Sequence, residues 1–246
     1  MGEFNPFSLS GKVILVTGAS SGIGRGIAIS CSKMGATIIA AGRNKERLKA
    51  TVSQLEGDGH KMAIGDLTDM TQLSGMVSEL PRLDGIVHSA GIGDRILCKN
   101  MCEKDLDRMM DTNFKVPIML QTEILQQKKI NKAASVVFIA SIASDTPTIG
   151  NAIYGASKGA IISYANCLAL ELAPRKIRVN CILPAMVWTD LIFKGGLTEE
   201  ELREDEQRYP LKRYGKPEDV ANLSIYLLSD ASSWMTGTSI KITGGK

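Results

Sequence analysis

Short apolar runs alternate along the chain with longer stretches in which apolar residues recur every three or four positions. The runs at Val13–Thr17, Thr37–Ala41, Met62–Gly65, Asp84–Ser89, Ser135–Ala140, Ile177–Leu183 and Ser239–Thr243 have the length and β-branched content of buried strands. Helical spacing covers Gly22–Met34, Lys45–Leu55, Thr68–Leu80, Glu103–Lys129, Asn151–Leu172 and Pro217–Ser229. Gly35 and Pro174 are stop signals for the first and fifth of these helices, and Pro117 predicts a kink in the long fourth one. Strands that alternate with helices predict an α/β fold, a parallel sheet of about seven strands with helices on both faces.

No linker, repeat or low-complexity run divides the chain, so residues 11–246 read as one domain and residues 1–10 as an N-terminal extension outside it. The segment Asp190–Arg213 is polar and charged and contains no strand. Thr198 to Glu201 reads as a capping box that opens a short helix. Its place after the sixth strand, and its Gly195-Gly196 pair, predict a mobile substrate lid near 190–213.

Composition narrows the function. A net charge of +3 is too small to point to nucleic acid, and no apolar run approaches the ~18 residues of a membrane span. Five cysteines, an odd number without a CxxC, are expected as reduced thiols and not as a metal set. The first residues lack a signal-peptide pattern, so the expected location is cytoplasmic.

The first strand runs into Thr17-Gly-Ala-Ser-Ser-Gly-Ile-Gly24 and then a helix. Glycines there let the backbone turn tightly, and the helix N-terminus offers free N–H groups to a pyrophosphate. Gly18, Ser20, Ser21, Gly22, Ile23 and Gly24 are therefore candidate cofactor residues of a Rossmann-type doubly wound sheet. The second strand ends in Gly42-Arg43-Asn44, without the carboxylate that holds a ribose 2′-hydroxyl. Arg43 suits a 2′-phosphate, which favours NADP(H). Asp66, with Leu67 beside it, ends the third strand at the expected adenine position or else charges the start of the next helix. Tyr154 and Lys158, four apart, share a helical face. The ammonium is expected to lower the phenol pKa from its usual ~10. Ser141 follows the fifth strand and is placed to bind the same substrate oxygen, and Asn113 interrupts the long helix with a side chain able to hold a water. His88, on a buried strand, reads as structural.

These motifs together resemble the short-chain dehydrogenase/reductase family over nearly the whole chain, from Gly11 to Gly245. The resemblance implies an oxidoreductase with the tetrad Asn113, Ser141, Tyr154 and Lys158, with Ala90 and Gly91 beside the cofactor. Ile182 to Thr189 resembles the segment whose Pro184, Val187 and Thr189 hold the nicotinamide end. Ser89, Ala185 and Thr243 depart from the family pattern. The closest likeness is to 3-oxoacyl-[acyl-carrier protein] reductases, with Lys128, Lys129, Lys132 and Arg175 as a basic rim for an acidic carrier. The alternatives are a secondary-alcohol, sugar or steroid dehydrogenase of the same family, or a non-catalytic NADP-binding sensor. The family also implies a homotetramer through the helices 103–129 and 151–172, where Met109, Met110 and Ile161 suit either such an interface or the core.

Overall fold

The computed structural model describes residues 4–246. Seven strands, β1 (Val13–Thr17), β2 (Thr37–Gly42), β3 (Lys61–Ile64), β4 (Leu83–His88), β5 (Ile130–Ile139), β6 (Arg178–Pro184) and β7 (Thr238–Ile242), form one sheet. Every neighbouring pair is parallel, and the order is β3-β2-β1-β4-β5-β6-β7. The order reverses between β1 and β4, which opens a crevice at their carboxyl ends. The chain is the expected Rossmann-type single sheet with helices on both faces.

Alternation along each strand divides the core. Ile14 and Val16 of β1, with Val137 and Ile139 of β5, join helices α1 (Gly22–Lys33) and α8 (Pro217–Leu228) in one layer. Leu15, Val136 and Phe138 face the other way, toward α3 (Met70–Ser78), α5 (Val116–Gln126) and α6 (Ala152–Leu172). α1 and α8 touch closely because Gly26 leaves no Cβ between them; one there would lie 2.6 Å from Pro217 Cβ. α2 (Lys45–Val52) is shorter than its periodicity suggests and starts at Asn44, whose side chain accepts from Arg47 N at 2.8 Å.

Three boundaries differ from the sequence reading, each for a local reason. The third helix begins at Met70 because Asp69, and not Asp66, caps its first N–H groups. The long helix is two, α4 (Glu103–Met110) and α5, joined by a π-helical turn over Asp111–Lys115. Pro117 has no N–H to give the Asn113 carbonyl one turn back, so the hydrogen-bond ladder widens there. β5 starts at Ile130, with a register irregularity against β4 and a left-handed Ala133 (φ 58°).

The N-terminal extension also belongs to the fold from Pro6 onward; residues 1–3 of that segment lie outside the described residues. Leu9 is fully buried, its N–H donates to Met34 O at 2.9 Å, and Ala231 N donates to Pro6 O at 3.0 Å. The segment 190–213 carries its own small core. α7 (Glu199–Glu206) packs Leu202 against buried Tyr209 and Tyr214, and the indole N–H of Trp188 donates to Glu206 at 2.8 Å. The Thr198 capping box opens α7 as predicted. Met109 and Ile161 are buried within the chain, which decides against an interface for both; Met109 Sδ accepts from Asn113.

His88 closes β4, stacked on Phe138 at 4.5 Å with Nε2 beside Gln121 Oε1 at 3.1 Å. Burial pushes its imidazole down to about 4, so it is a neutral core residue. An unfolded histidine titrates near ~6.5. The stability that depends on the neutral ring is therefore complete above that pH and is lost as pH falls from there toward 4. Urea unfolding at pH 7 and pH 4.5 should show the unmodified protein losing about 2–3 kcal/mol more than His88→Leu. Equal losses in the two proteins would show that this ring does not couple to folding.

Candidate active site

The crevice at the carboxyl end of the sheet collects the motif residues from β1, β4, β5, α6 and the segment after β6. Gly18, with φ +66°, lets the chain leave β1 toward α1, and a Cβ there would come within 2.9 Å of the Ala90 backbone. Gly24 is tighter still, since its Cβ would lie 2.5 Å from Gly18 O. Thr17 joins the two loops: its hydroxyl oxygen accepts from Ser89 N and Ala90 N, both at 3.1 Å. The departure at Ser89 is thus carried by its backbone.

This turn fits a dinucleotide pyrophosphate. Ser21, at the N-cap of α1, makes no side-chain cap, whereas Asn44, Asp69 and Thr198 cap α2, α3 and α7. The first N–H groups and positive dipole end of α1 are left to an anion. A groove of ≈ 560 Å³ runs beside it, lined by Ser21, Gly22, Arg25, Arg47 and Thr189 among others. The Thr189 methyl stands over the turn, 3.2 Å from where a Gly22 Cβ would sit, and the Thr189 hydroxyl donates to Val187 O at 3.3 Å. Pro184 ends β6, and Val187 is buried where the chain pairs with Gly215.

At the other end of the crevice, Arg43 is 70% exposed and 3.9 Å from Asp66, a loose pair whose guanidinium can turn to a phosphate. Asp66 does not charge a helix start. Its Oδ1 accepts from Thr68 N and Oγ1, which holds its carboxyl below the ordinary range. Leu67 turns its side chain into the core and Ile23 packs on the α1/α8 layer, so both can serve a cofactor only through backbone atoms.

Tyr154 and Lys158 lie one turn apart on α6, with Lys158 Nζ 5.8 Å from the Tyr154 ring centre. Ser141 follows β5 with its hydroxyl beside the Tyr154 phenol, and its Oγ accepts from Ala143 N at 3.1 Å. Gly155 makes this contact possible: a Cβ there would strike Ala143 O at 2.5 Å. Lys158 is buried, donates to Ile139 O at 2.9 Å, and is pushed down to about 8 by desolvation. Burial raises the Tyr154 phenol above its ordinary value, opposed by the Ser141 hydroxyl beside it. The expected lowering by Lys158 does not occur within the chain, because loss of water outweighs a cation already engaged by a carbonyl. Gly91 keeps the space over the ammonium open; a Cβ there would lie 3.4 Å from Lys158 Nζ.

Asn113 is placed here but not as predicted. Its side chain accepts from Ile92 N at 2.8 Å and donates to Ile92 O, Ser157 Oγ and Met109 Sδ. It is a clamp with no donor to spare for a water. Ser157, which sequence reasoning missed, donates to Tyr154 O at 2.8 Å and so ties that clamp to α6. The only sequence signal was its place three residues after Tyr154. The proposed basic rim lies at the amino ends of β5 and β6, away from Tyr154. There Lys129 donates to Ser78 O and Leu80 O, and Arg175 donates to Ile130 O.

A family profile described as enoyl-(acyl carrier protein) reductase matches residues 18–246. A 3-oxoacyl-[acyl-carrier-protein] reductase of Rickettsia felis is 36% identical over 237 residues, covering 96% of this chain and 97% of that protein. The chain belongs to the short-chain dehydrogenase/reductase family. A Thermotoga maritima 3-oxoacyl-[acyl-carrier-protein] reductase is 35% identical over 243 residues, covering 96% and 98%. Among solved structures, a Brucella melitensis short-chain dehydrogenase/reductase of glucose/ribitol dehydrogenase type superposes with TM-score 0.90 at 30% identity, covering 98% of both chains. A Beutenbergia cavernae protein, assigned as an NAD(P)-dependent gluconate 5-dehydrogenase and solved with bound NADP, has TM-score 0.88 at 31% identity and covers 98% of both. As a short-chain dehydrogenase/reductase the protein is an NAD(P)(H)-linked oxidoreductase acting on CH–OH or carbonyl groups.

The joint between β1 and β4 can be tested directly. Thr17→Val keeps the shape but strands two N–H groups, and should cost about 1–3 kcal/mol in urea unfolding. An unchanged midpoint would mean that water replaces the hydroxyl without penalty.

Proposed function

We propose that the protein is an NADPH-dependent reductase of a 3-oxoacyl thioester, with Tyr154 as the proton donor. The carrying observation is the Tyr154 phenol in the crevice beside Ser141, with Lys158 one turn away and its Nζ 5.8 Å from the Tyr154 ring centre. Bound NADPH supplies the hydride. The α1 N-terminus and Thr189 hold its phosphate and nicotinamide ends, and Arg43 grips the 2′-phosphate. Ser141 donates to the carbonyl oxygen and orients it. Tyr154, kept protonated by burial, gives that oxygen its proton. Lys158 holds the ribose through its ammonium, which burial sets to titrate near 8. A water at the Asn113 main-chain carbonyl returns protons from solvent, in place of the side chain first assigned. The carrier-protein reductases among the relatives support the thioester as substrate. A second reading, a sugar-acid dehydrogenase, is favoured by the gluconate 5-dehydrogenase likeness. A panel of 3-oxoacyl thioesters, enoyl thioesters and keto-sugar acids separates these readings and the enoyl reductase of the profile description.

Tyr154→Phe should lower kcat by ~10²–10⁴ with cofactor affinity nearly unchanged. Because the phenol pKa is raised above its ordinary ~10, alcohol oxidation should climb with pH between 7 and 10 while reduction stays level over that range. A near-normal kcat for Tyr154→Phe on a confirmed substrate defeats the assignment.

Cofactor choice is a separate test. Titration should give NADPH the tighter binding, and Gly42→Asp, which sets a carboxylate at the end of β2, should reverse the order. Equal affinities in the unmodified protein would remove Arg43 from the phosphate.

A further inference from the structure

The mouth of the crevice is formed by the loop after β4 on one side and the turn at Ile192–Gly195 on the other. Gly93 stands against the reactive end: a Cβ there would be 3.6 Å from both Tyr154 Cε2 and Leu191 Cδ1. Two residues on, Arg95 spans the opening. A Cβ on Gly150 would lie 3.2 Å from Arg95 Cβ, and one on Gly195 would lie 3.4 Å from Arg95 Nε. The backbone is fixed where Ile96 N donates to Gly150 O at 2.8 Å. Two glycines therefore make room for one long cationic side chain.

That cation has no counter-charge. The adjacent carboxylate, Asp94, is engaged by Arg108, and Arg95 makes no ion pair or side-chain hydrogen bond among the described residues. Lys194, exposed on the facing turn, adds a second positive charge. The wall nearer Tyr154 is apolar, through Leu191 and Gly93. A planar guanidinium with free donors at the rim of the cleft, beyond the apolar wall of Leu191 and Gly93, matches a carboxylate or a phosphate.

We infer that Arg95 is a specificity-determining residue that grips an anionic group, carboxylate or phosphate, carried by the carbonyl substrate some atoms from the reacting carbon. The inference rests on the reductase reading above. It supplies a cation at the Tyr154 end of the sheet, where the Lys128, Lys129, Lys132 and Arg175 group is not. The partner of Arg95 is the substrate itself, so the residue acts on affinity and leaves the proton step to Tyr154.

The test compares kcat/KM for two matched pairs in the unmodified protein, Arg95→Gln and Arg95→Lys. One pair is 4-oxopentanoate and its methyl ester, which isolates a carboxylate. The other is acetoacetyl-coenzyme A and acetoacetyl-N-acetylcysteamine, which isolates phosphates. The charged member of one pair should be preferred by about 10- to 100-fold, carried in KM. That ratio should collapse toward one in Arg95→Gln and return in part in Arg95→Lys. The pair that shows the effect identifies the anion. No charge preference in either pair, or a preference that survives Arg95→Gln, overturns the inference. If no carbonyl is reduced at all, the reductase reading falls by itself. Calorimetric titration of 4-oxopentanoate and coenzyme A into the unmodified protein and Arg95→Gln then decides: binding weakened by the substitution supports the anion site, and equal or absent binding rejects it.

Discussion

One buried amide holds the site together. Asn113 lies where α4 breaks into α5, and its side chain meets both backbone groups of Ile92 and the hydroxyl of Ser157. Through Ile92 it fixes the loop after β4; through Ser157 it fixes the turn of α6 that carries Tyr154 and Lys158. In a site this dry, a polar group left without its partner costs more than the bond itself gives, so the network is satisfied as a whole or not at all. Three elements distant in sequence thus share one register, and the crevice inherits its shape from that agreement.

Burial, more than neighbouring charge, sets the protonation of the groups in this crevice. Tyr154 and Lys158 both lose water, and each moves toward its neutral form. The phenol remains a proton source at neutral pH, and the ammonium lies close enough to neutrality to exchange protons readily. The phenol resists ionisation until an external charge or hydrogen-bonding group enters beside it, which couples the chemistry to loading of the cleft.

The seven strands and the glycine turn were legible in the sequence because both depend on local pattern: period, length and the absence of side chains at Gly18 and Gly24. The identities of Tyr154, Lys158 and Ser141 were legible as spacing. What they do electrostatically was not, since desolvation depends on what packs around them. Asn113 was picked out as a polar interruption of the long helical stretch, but its side-chain contacts were not legible because Ile92 and Ser157 approach it only in three dimensions. Thr17 and Ser157 stood next to motif residues, but nothing in the sequence showed what their hydroxyls bind. Leu9 was set aside with the N-terminal residues because nothing local shows that Met34 and Ala231 close over that strand of chain.

That closure has a bearing on how the molecule is made. Pro6 accepts a hydrogen bond from Ala231, Phe7 lies 6.2 Å from Tyr226 ring to ring, and Lys12 pairs with Asp230 at 2.8 Å. β1, though synthesised first, sits at the centre of the sheet and pairs with β4 as well as β2. A chain emerging from the ribosome therefore carries its central strand exposed until β4 appears. It cannot seat Pro6, Phe7 and Lys12 until α8 and the turn after it are free of the exit tunnel. Acquisition of the native state is thus concentrated at the end of synthesis. Loss of the last twenty or so residues would remove the partners of Pro6 and Lys12 and leave Leu9 held by Met34 without them.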